Sequence, residues 1–116
     1  MNLQEIINHL GLEVLTTKDK DFSAVEPQSG YISDLLSCVM AGANPLSLWV
    51  TLQAHINIVA VGALKEVAAI IITEGARPEE GTIQKAEEEG ITLLATPLSS
   101  FFIVGSLWEL GLREKA

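Results

Sequence analysis

The chain has 116 residues, of which 48% are apolar and 19% charged, and its formal net charge is −8. This composition excludes a disordered chain, and the length allows one hydrophobic core but not two. Its seven Lys and Arg form no cluster in so acidic a chain, and the N-terminus lacks the pattern of a signal or transit peptide. We therefore expect a stand-alone single domain, 1–116, that is cytoplasmic and binds neither nucleic acid nor membrane.

The spacing of apolar residues predicts helices and strands that alternate along the chain. In chain order the predicted elements are a helix at 1–10, a strand at 12–16, a charged turn at 17–21, a strand at 25–34, a helix through Met40, a strand at 46–52, a helix at 55–67, a strand at 68–73, a helix at 78–89, a strand at 91–96 and a helix from Ser99 or Ser100 to Gly111. Pro27 favours a sheet edge or a bulge for its strand. Ser33 or Asp34 is the expected cap of the second helix, and Pro78 the first residue of the fourth.

Strands separated by helices of this length form parallel βαβ units. The near-continuous apolar runs at 70–72 and 93–95 indicate strands that are covered on both faces. The sequence therefore predicts an α/β fold, a layered domain with a mainly parallel sheet and βαβ units. Its core spans about 25–112, and the N-terminal helix and strand at 2–16 precede it.

Two predicted helices, at 56–67 and 101–108, are apolar nearly all round. A helix of this kind must be buried on more than one face, and a second subunit is the simplest cover in so small a domain. By contrast, the helix at 78–89 carries Glu residues along one side, as a solvent-facing helix does. The pattern predicts a homodimer that uses the two apolar helices.

Polar residues follow the predicted strands where each one ends. In parallel α/β sheets, ligands bind beyond the carboxyl ends of the strands. The candidate ligand-binding residues are Thr51, Gln53, His55, Asn57, Thr73, Glu74, Gly75 and Thr96. These residue types also cap helices and turn the chain, so a purely structural role is the alternative. A carboxylate at Glu74 opposes the binding of an anion in this turn.

The sequence offers little for catalysis. Cys38 lies among apolar residues and is expected to be a buried core thiol, and a single cysteine excludes an internal disulfide. His9 and His55 are not part of a metal-ligand spacing, and no serine lies in a G-x-S-x-G elbow. Only His55, beside the strand ends, is a candidate acid or base. We predict no catalytic residue, no metal and no cofactor.

The segment from "SDLLSCVMAGA" through "AAIIITEGARPEEGTIQKAEEEGITLLATP" resembles the DRTGG domain family, and the resemblance covers about 25–112. It implies an α/β domain similar to the N-terminal domain of HPr kinase/phosphorylase. It also implies an accessory module of the kind found beside phosphotransacetylase domains and in CBS-domain pyrophosphatases, with a regulatory or dimer-forming role and no established catalytic residues. Kinase chemistry in that enzyme requires a P-loop domain, which this sequence lacks.

The family's Thr-Gly-Gly turn matches Thr73, Glu74 and Gly75, with Glu74 in place of the first glycine. The Asp-Arg pair is expected near Gln53 to Asn57, where the sequence is "QAHIN" and has neither residue. The motif is therefore degenerate, and a ligand site here would differ chemically from that of the family.

Three functional hypotheses follow. The first is a non-catalytic regulatory or interaction domain that forms a homodimer and can take a protein partner. The alternative is a sensor of a small molecule, a nucleotide or another polar metabolite, bound at the carboxyl ends of the strands. The third, an enzyme that uses His55 as its acid or base, has the least support.

Overall fold

The computed structural model describes residues 1–16 and 20–114, and it confirms the layered α/β fold. Most of the expected turn at 17–21 lies outside these residues. The elements are α1 (Leu3–Leu10), β1 (Glu13–Val14), a short 3-10 helix (Phe22–Ala24), β2 (Ser29–Ile32), α2 (Leu36–Gly42), β3 (Ser47–Thr51), α3 (Asn57–Leu64), β4 (Ala69–Ile72), α4 (Glu80–Glu89), β5 (Leu93–Ala95) and α5 (Ser100–Glu109). None of the helices within the described ranges is both long and apolar enough to cross a membrane.

Within the described residues, the sheet has five strands in the order β1-β5-β4-β3-β2. Strands β2 to β5 pair in parallel, and β1 joins β5 in the antiparallel direction through Glu13 and Ala95. The sheet is thus mainly parallel, as expected from the βαβ spacing. Strand β2 lies at one edge, which agrees with Pro27 just before it, because proline cannot donate to a neighbouring strand.

Helices cover both faces of the sheet. On one face α1 and α5 pack against side chains that include Leu48, Val50 and Ile71. On the other, α2, α3 and α4 pack around Trp49 and Ile70. Because successive residues of a strand point to opposite faces, the continuous apolar runs place side chains against the helices on both faces of the sheet.

Several local expectations were wrong. Cys38 is exposed, because in α2 only Val39 is buried against the rest of the fold. The residue that precedes α2 is Leu35, which makes no side-chain cap. The carboxylate of Asp34 instead accepts hydrogen bonds from Thr51 Oγ1 (2.8 Å) and the Leu52 amide (2.9 Å), so it ties the end of β2 to the end of β3.

Several helix boundaries also differ from the expected ones, including the start of α3, which is Asn57 and not residue 55. Helix α4 begins at Glu80, two residues after Pro78, so the proline lies in the loop and not in the first turn. Helix α3 ends at Leu64 and not at residue 67, because Glu66 adopts a left-handed backbone conformation (φ 53°) that interrupts the helix.

Candidate functional site

The carboxyl edge of the sheet is formed by the loops that follow β3, β4 and β5. The threonines that end or follow these strands, Thr51, Thr73 and Thr96, are all buried. Thr73 Oγ1 lies 2.5 Å from Ser100 Oγ, and Thr96 Oγ1 accepts from the Leu98 amide at 3.1 Å. These hydroxyl groups therefore bind neighbouring loops, which is the structural role that the sequence left open.

The loop after β3 is held by a series of side-chain to backbone hydrogen bonds. Thr51 Oγ1 accepts from the Gln53 amide at 3.0 Å, and Gln53 Oε1 accepts from the His55 amide at 3.2 Å. His55 Nδ1 then accepts from the amide of Asn57, the first residue of α3, at 3.1 Å. This last bond satisfies one of the amide groups that a helix start leaves without a partner. It also fixes His55 as an acceptor at Nδ1.

Glu74 has a defined structural contact. Its backbone is left-handed (φ 62°), and its Oε2 accepts from the amide of Ser100, the first residue of α5, at 2.8 Å. Ser99 Oγ accepts from Phe102 N in the same turn (3.1 Å). A carboxylate of the protein thus occupies the position that an external anion takes at a helix N-terminus. The turn has the shape of an anion site but already holds its own anion.

An open cleft of about 410 Å³ lies between the β3–α3 and β4–α4 loops. It is lined by Gln53, Ala54, His55, Ile56, Arg77, Glu79, Gly81 and Thr82. A neighbouring cleft of about 360 Å³ is lined by Gly11, Glu13, Gly75, Ala76, Arg77, Ala95, Thr96 and Pro97. Arg77 lines both clefts, so this residue lies at the boundary between them.

Arg77 forms an ion pair with Glu13 of β1. Its two terminal nitrogens donate to the two carboxylate oxygens at 2.7 and 3.1 Å, the two-pronged geometry that suits a guanidinium and a carboxylate. These hydrogen bonds lower the pKa of Glu13 below its ordinary value and raise that of Arg77 above its ordinary value. Both side chains are more than half exposed, at 56% and 57%, so solvent screens the pair.

The structure divides the eight candidate residues into four pairs. Gln53 and His55 line the larger cleft, and Gly75 and Thr96 line the smaller one. Thr51 and Thr73 are buried behind the loops, Glu74 contacts the start of α5, and Asn57 is itself the first residue of α3. Three charged residues that line the clefts were not predicted from the sequence: Glu13, Arg77 and Glu79. Arg77 and Glu79 follow Gly75 in the same loop, so the rule that placed the site at the strand ends also covers them.

Metal-ligating side chains do not gather in the part of the chain that the structure describes: residues 1–16 and 20–114 contain no group of three or more His, Cys, Asp or Glu arranged to hold an ion. The chemistry that the clefts offer is therefore that of one guanidinium group, nearby carboxylates, an amide and an imidazole.

A second candidate surface lies on α5. Phe101, Phe102 and Trp108 are 91%, 55% and 47% exposed. Beside the helix, a groove of about 270 Å³ runs along the edge strand β2. The groove is lined by Gly30, Tyr31, Ile32, Val50, Val104, Leu107, Trp108, Leu112 and Glu114. We call this exposed helix and groove the α5 face.

Helix α3 and the residue before it also expose apolar side chains, with Leu64 at 69% and Ile56 at 42%. However, α3 packs on the Trp49 side of the sheet and α5 on the Leu48 side. The two apolar helices therefore lie on opposite faces, and a single flat interface cannot cover both of them.

No protein-family model and no curated protein matches the chain. Among solved structures, the chain is similar to the crystal structure of the CBS and DRTGG domains of the regulatory region of Clostridium perfringens pyrophosphatase, complexed with its activator diadenosine tetraphosphate. The TM-score is 0.71 and the sequence identity 19%. The two proteins share a fold.

The match covers 90% of this chain and 44% of the pyrophosphatase chain, so this chain spans less than half the length of that neighbour. The neighbour is a regulatory region that binds a nucleotide activator. Its fold agrees with the α/β domain that the DRTGG resemblance implies. At this identity the likeness concerns the fold alone.

Proposed function

We propose that the chain is a non-catalytic, DRTGG-like regulatory domain that forms a homodimer through its α5 face. The observation that carries the proposal is the exposure of Phe101, which is 91% accessible in a helix next to an apolar groove. Large exposed apolar patches mark interaction sites in folded proteins. The regulatory role of the fold neighbour supports the same class of function.

One side of α5 carries an apolar stripe in which Phe101 and Trp108 are exposed and Val104 is partly buried. Phe101, Val104 and Trp108 are spaced three and four residues apart, so they lie on the same side of the helix. Val104 and Trp108 line the groove, whose opposite wall includes Ile32 at 51% exposure. A partner that covers the stripe therefore also covers the edge of the sheet at β2.

The low charge of α5 favours a second copy of this chain as the partner of the α5 face. Between Ser100 and Glu109, helix α5 has a single charged residue, Glu109, although the chain carries a net charge of −8. The α5 face has two carboxylates, Glu109 at the end of the helix and Glu114 on the groove wall, whereas each α4 helix carries four Glu residues. Two α5 faces therefore meet with less repulsion between carboxylates than two α4 helices would. Interfaces deplete charge at their centre and enrich aromatic residues, which matches this helix.

Sedimentation at micromolar concentration tests the dimer. We expect the wild type to be dimeric and Phe101→Glu to be monomeric, with a dissociation constant raised about 30-fold, because truncating an aromatic anchor costs about 2 kcal/mol or more. Since Phe101 is almost fully exposed, its replacement should not disturb the monomer. The matched control is Leu64→Glu on α3, which should remain dimeric. A monomeric wild type refutes the proposal, and dissociation by Leu64→Glu alone assigns the interface to α3.

The larger cleft supports a second candidate function, the sensing of a small polar ligand at the strand ends. Its volume of about 410 Å³ lies within the range of ligand pockets, ~300–1,000 Å³. Thermal-shift measurements with nucleotides, including diadenosine tetraphosphate, and with other metabolites test this function. A ligand at 100 times its dissociation constant adds about 2.7 kcal/mol of stability. Sensing at this cleft requires that the shift disappear in Arg77→Gln.

A further inference from the structure

The geometry and the exposure of the Arg77–Glu13 pair allow another carboxylate to displace Glu13 from Arg77. The pair is two-pronged, yet both partners are more than half exposed, and exposed pairs contribute little because water solvates the separated charges well. A carboxylate of a ligand could therefore replace that of Glu13 on the guanidinium group at a small cost. It would meet the same two donors in the same geometry.

The charged residues that line the clefts restrict which ligand can displace Glu13 from Arg77. Glu79 lines the same cleft, is exposed, and forms no salt bridge with any side chain of residues 1–16 and 20–114. Glu13 lies on the other side of Arg77. The two clefts together are lined by two carboxylates and one guanidinium group, so a polyphosphate would bring several negative charges into a region that is already net negative. A ligand with one negative and one positive group avoids this repulsion.

The remaining walls of the larger cleft leave room for the uncharged part of such a ligand. Gln53 offers an amide, while Ala54 and Ile56 offer apolar surface. A cleft of about 410 Å³ lies at the small end of ligand pockets. This size fits a small metabolite better than an extended one.

We propose that the two clefts bind, where they meet at Arg77, a small zwitterion of the amino-acid type, whose carboxylate replaces Glu13 on Arg77 and whose ammonium group contacts Glu79. The inference rests on the sensing function and specifies its ligand. Glu13 then acts as an internal competitor that occupies Arg77 until the ligand arrives. Exchange of this contact releases β1 from the β4–α4 loop.

Calorimetric titration with individual L-amino acids tests the proposal. We expect at least one to bind the wild type, and Glu13→Gln to bind it about two- to fivefold more tightly, because the competitor of an exposed pair is gone. Arg77→Gln should bind it at least about tenfold more weakly. Arg77→Lys, which keeps the charge but not the two-pronged geometry, should lie between. The amine that lacks the carboxylate should not bind.

Two controls keep the outcome specific. Glu109→Gln removes a carboxylate from the exposed end of α5 and should leave binding unchanged. Amide spectra of each variant show whether it is folded. If ATP or diadenosine tetraphosphate binds in an Arg77-dependent way and no amino acid does, sensing stands and the ligand class is wrong. If no compound binds either the wild type or Glu13→Gln, both ideas fail. Amino-acid binding that survives in Arg77→Gln refutes this site.

Discussion

Replacement of Glu74 separates two effects that the structure combines in one residue. The carboxylate accepts a hydrogen bond from Ser100 at the start of α5, while the backbone is in the left-handed region (φ 62°). Glu74→Ala removes the hydrogen bond and keeps the strained backbone. Loss of a capping group at a helix start costs about 1 kcal/mol, so we expect this variant to be destabilised by about that amount.

Glu74→Gly removes the same hydrogen bond but also relieves the strain, since glycine adopts positive φ without a Cβ clash. The left-handed conformation costs other residues about 1–2 kcal/mol, part of which glycine loses again through the greater freedom of its unfolded chain. The two changes should nearly cancel. We therefore expect the glycine variant to be within about 0.5 kcal/mol of the wild type and more stable than the alanine variant by about 1 kcal/mol.

Urea denaturation of the wild type and both variants measures these differences. Glu109→Ala serves as the control, because a carboxylate near the C-terminal end of α5 gains nothing from the helix dipole and its loss should be neutral or slightly stabilising. Equal stabilities of the alanine and glycine variants would show that the left-handed backbone carries no strain. An alanine variant as stable as the wild type would show that the bond to Ser100 contributes nothing.

Two further predictions concern packing and charge. A Cβ on Gly42 would lie 2.6 Å from the hydroxyl oxygen of Tyr31, so we expect Gly42→Ala to destabilise the fold by about 1–3 kcal/mol in thermal unfolding. The control is Gly81→Ala, whose added Cβ meets no atom within 4 Å. It should be neutral or stabilise the fold by up to about 1 kcal/mol. The hydrogen bonds from Arg77 lower the pKa of Glu13, so the stability that the pair confers is present above the unfolded-state pKa and is lost as the pH falls through the folded-state pKa. NMR titration of Glu13 in Arg77→Gln should show its pKa returned toward the ordinary value, and an unchanged pKa would contradict the pairing.

The fold was predictable because its signals are local. Apolar runs at 70–72 and 93–95 have the length and composition of strands covered on both faces, and the helices between them dictate parallel pairing. The failures have local causes too. Cys38 has apolar neighbours in sequence, but so short a helix buries only one residue, and which one depends on its orientation over the sheet.

The candidate site was predictable in position but not in chemistry. Parallel topology brings the loops after β3, β4 and β5 to one edge, so Gln53 and His55 could be placed there from sequence. The pair of Arg77 with Glu13 joins residues 64 positions apart. It depends on the antiparallel addition of β1 to β5, and the pattern of the first sixteen residues does not specify to which strand β1 pairs.

Isotope-filtered nuclear Overhauser spectra on a mixture of labelled and unlabelled protein test the homodimer most directly, because they detect only contacts between two copies. For a dimer formed through the α5 face, we expect contacts that involve the ring protons of Phe101 and Trp108 and reach the side chain of Ile32 at the edge strand. We expect none from Leu64 on the opposite face. Contacts confined to α3, or no contacts between copies at concentrations well above micromolar, would contradict a dimer formed through the α5 face.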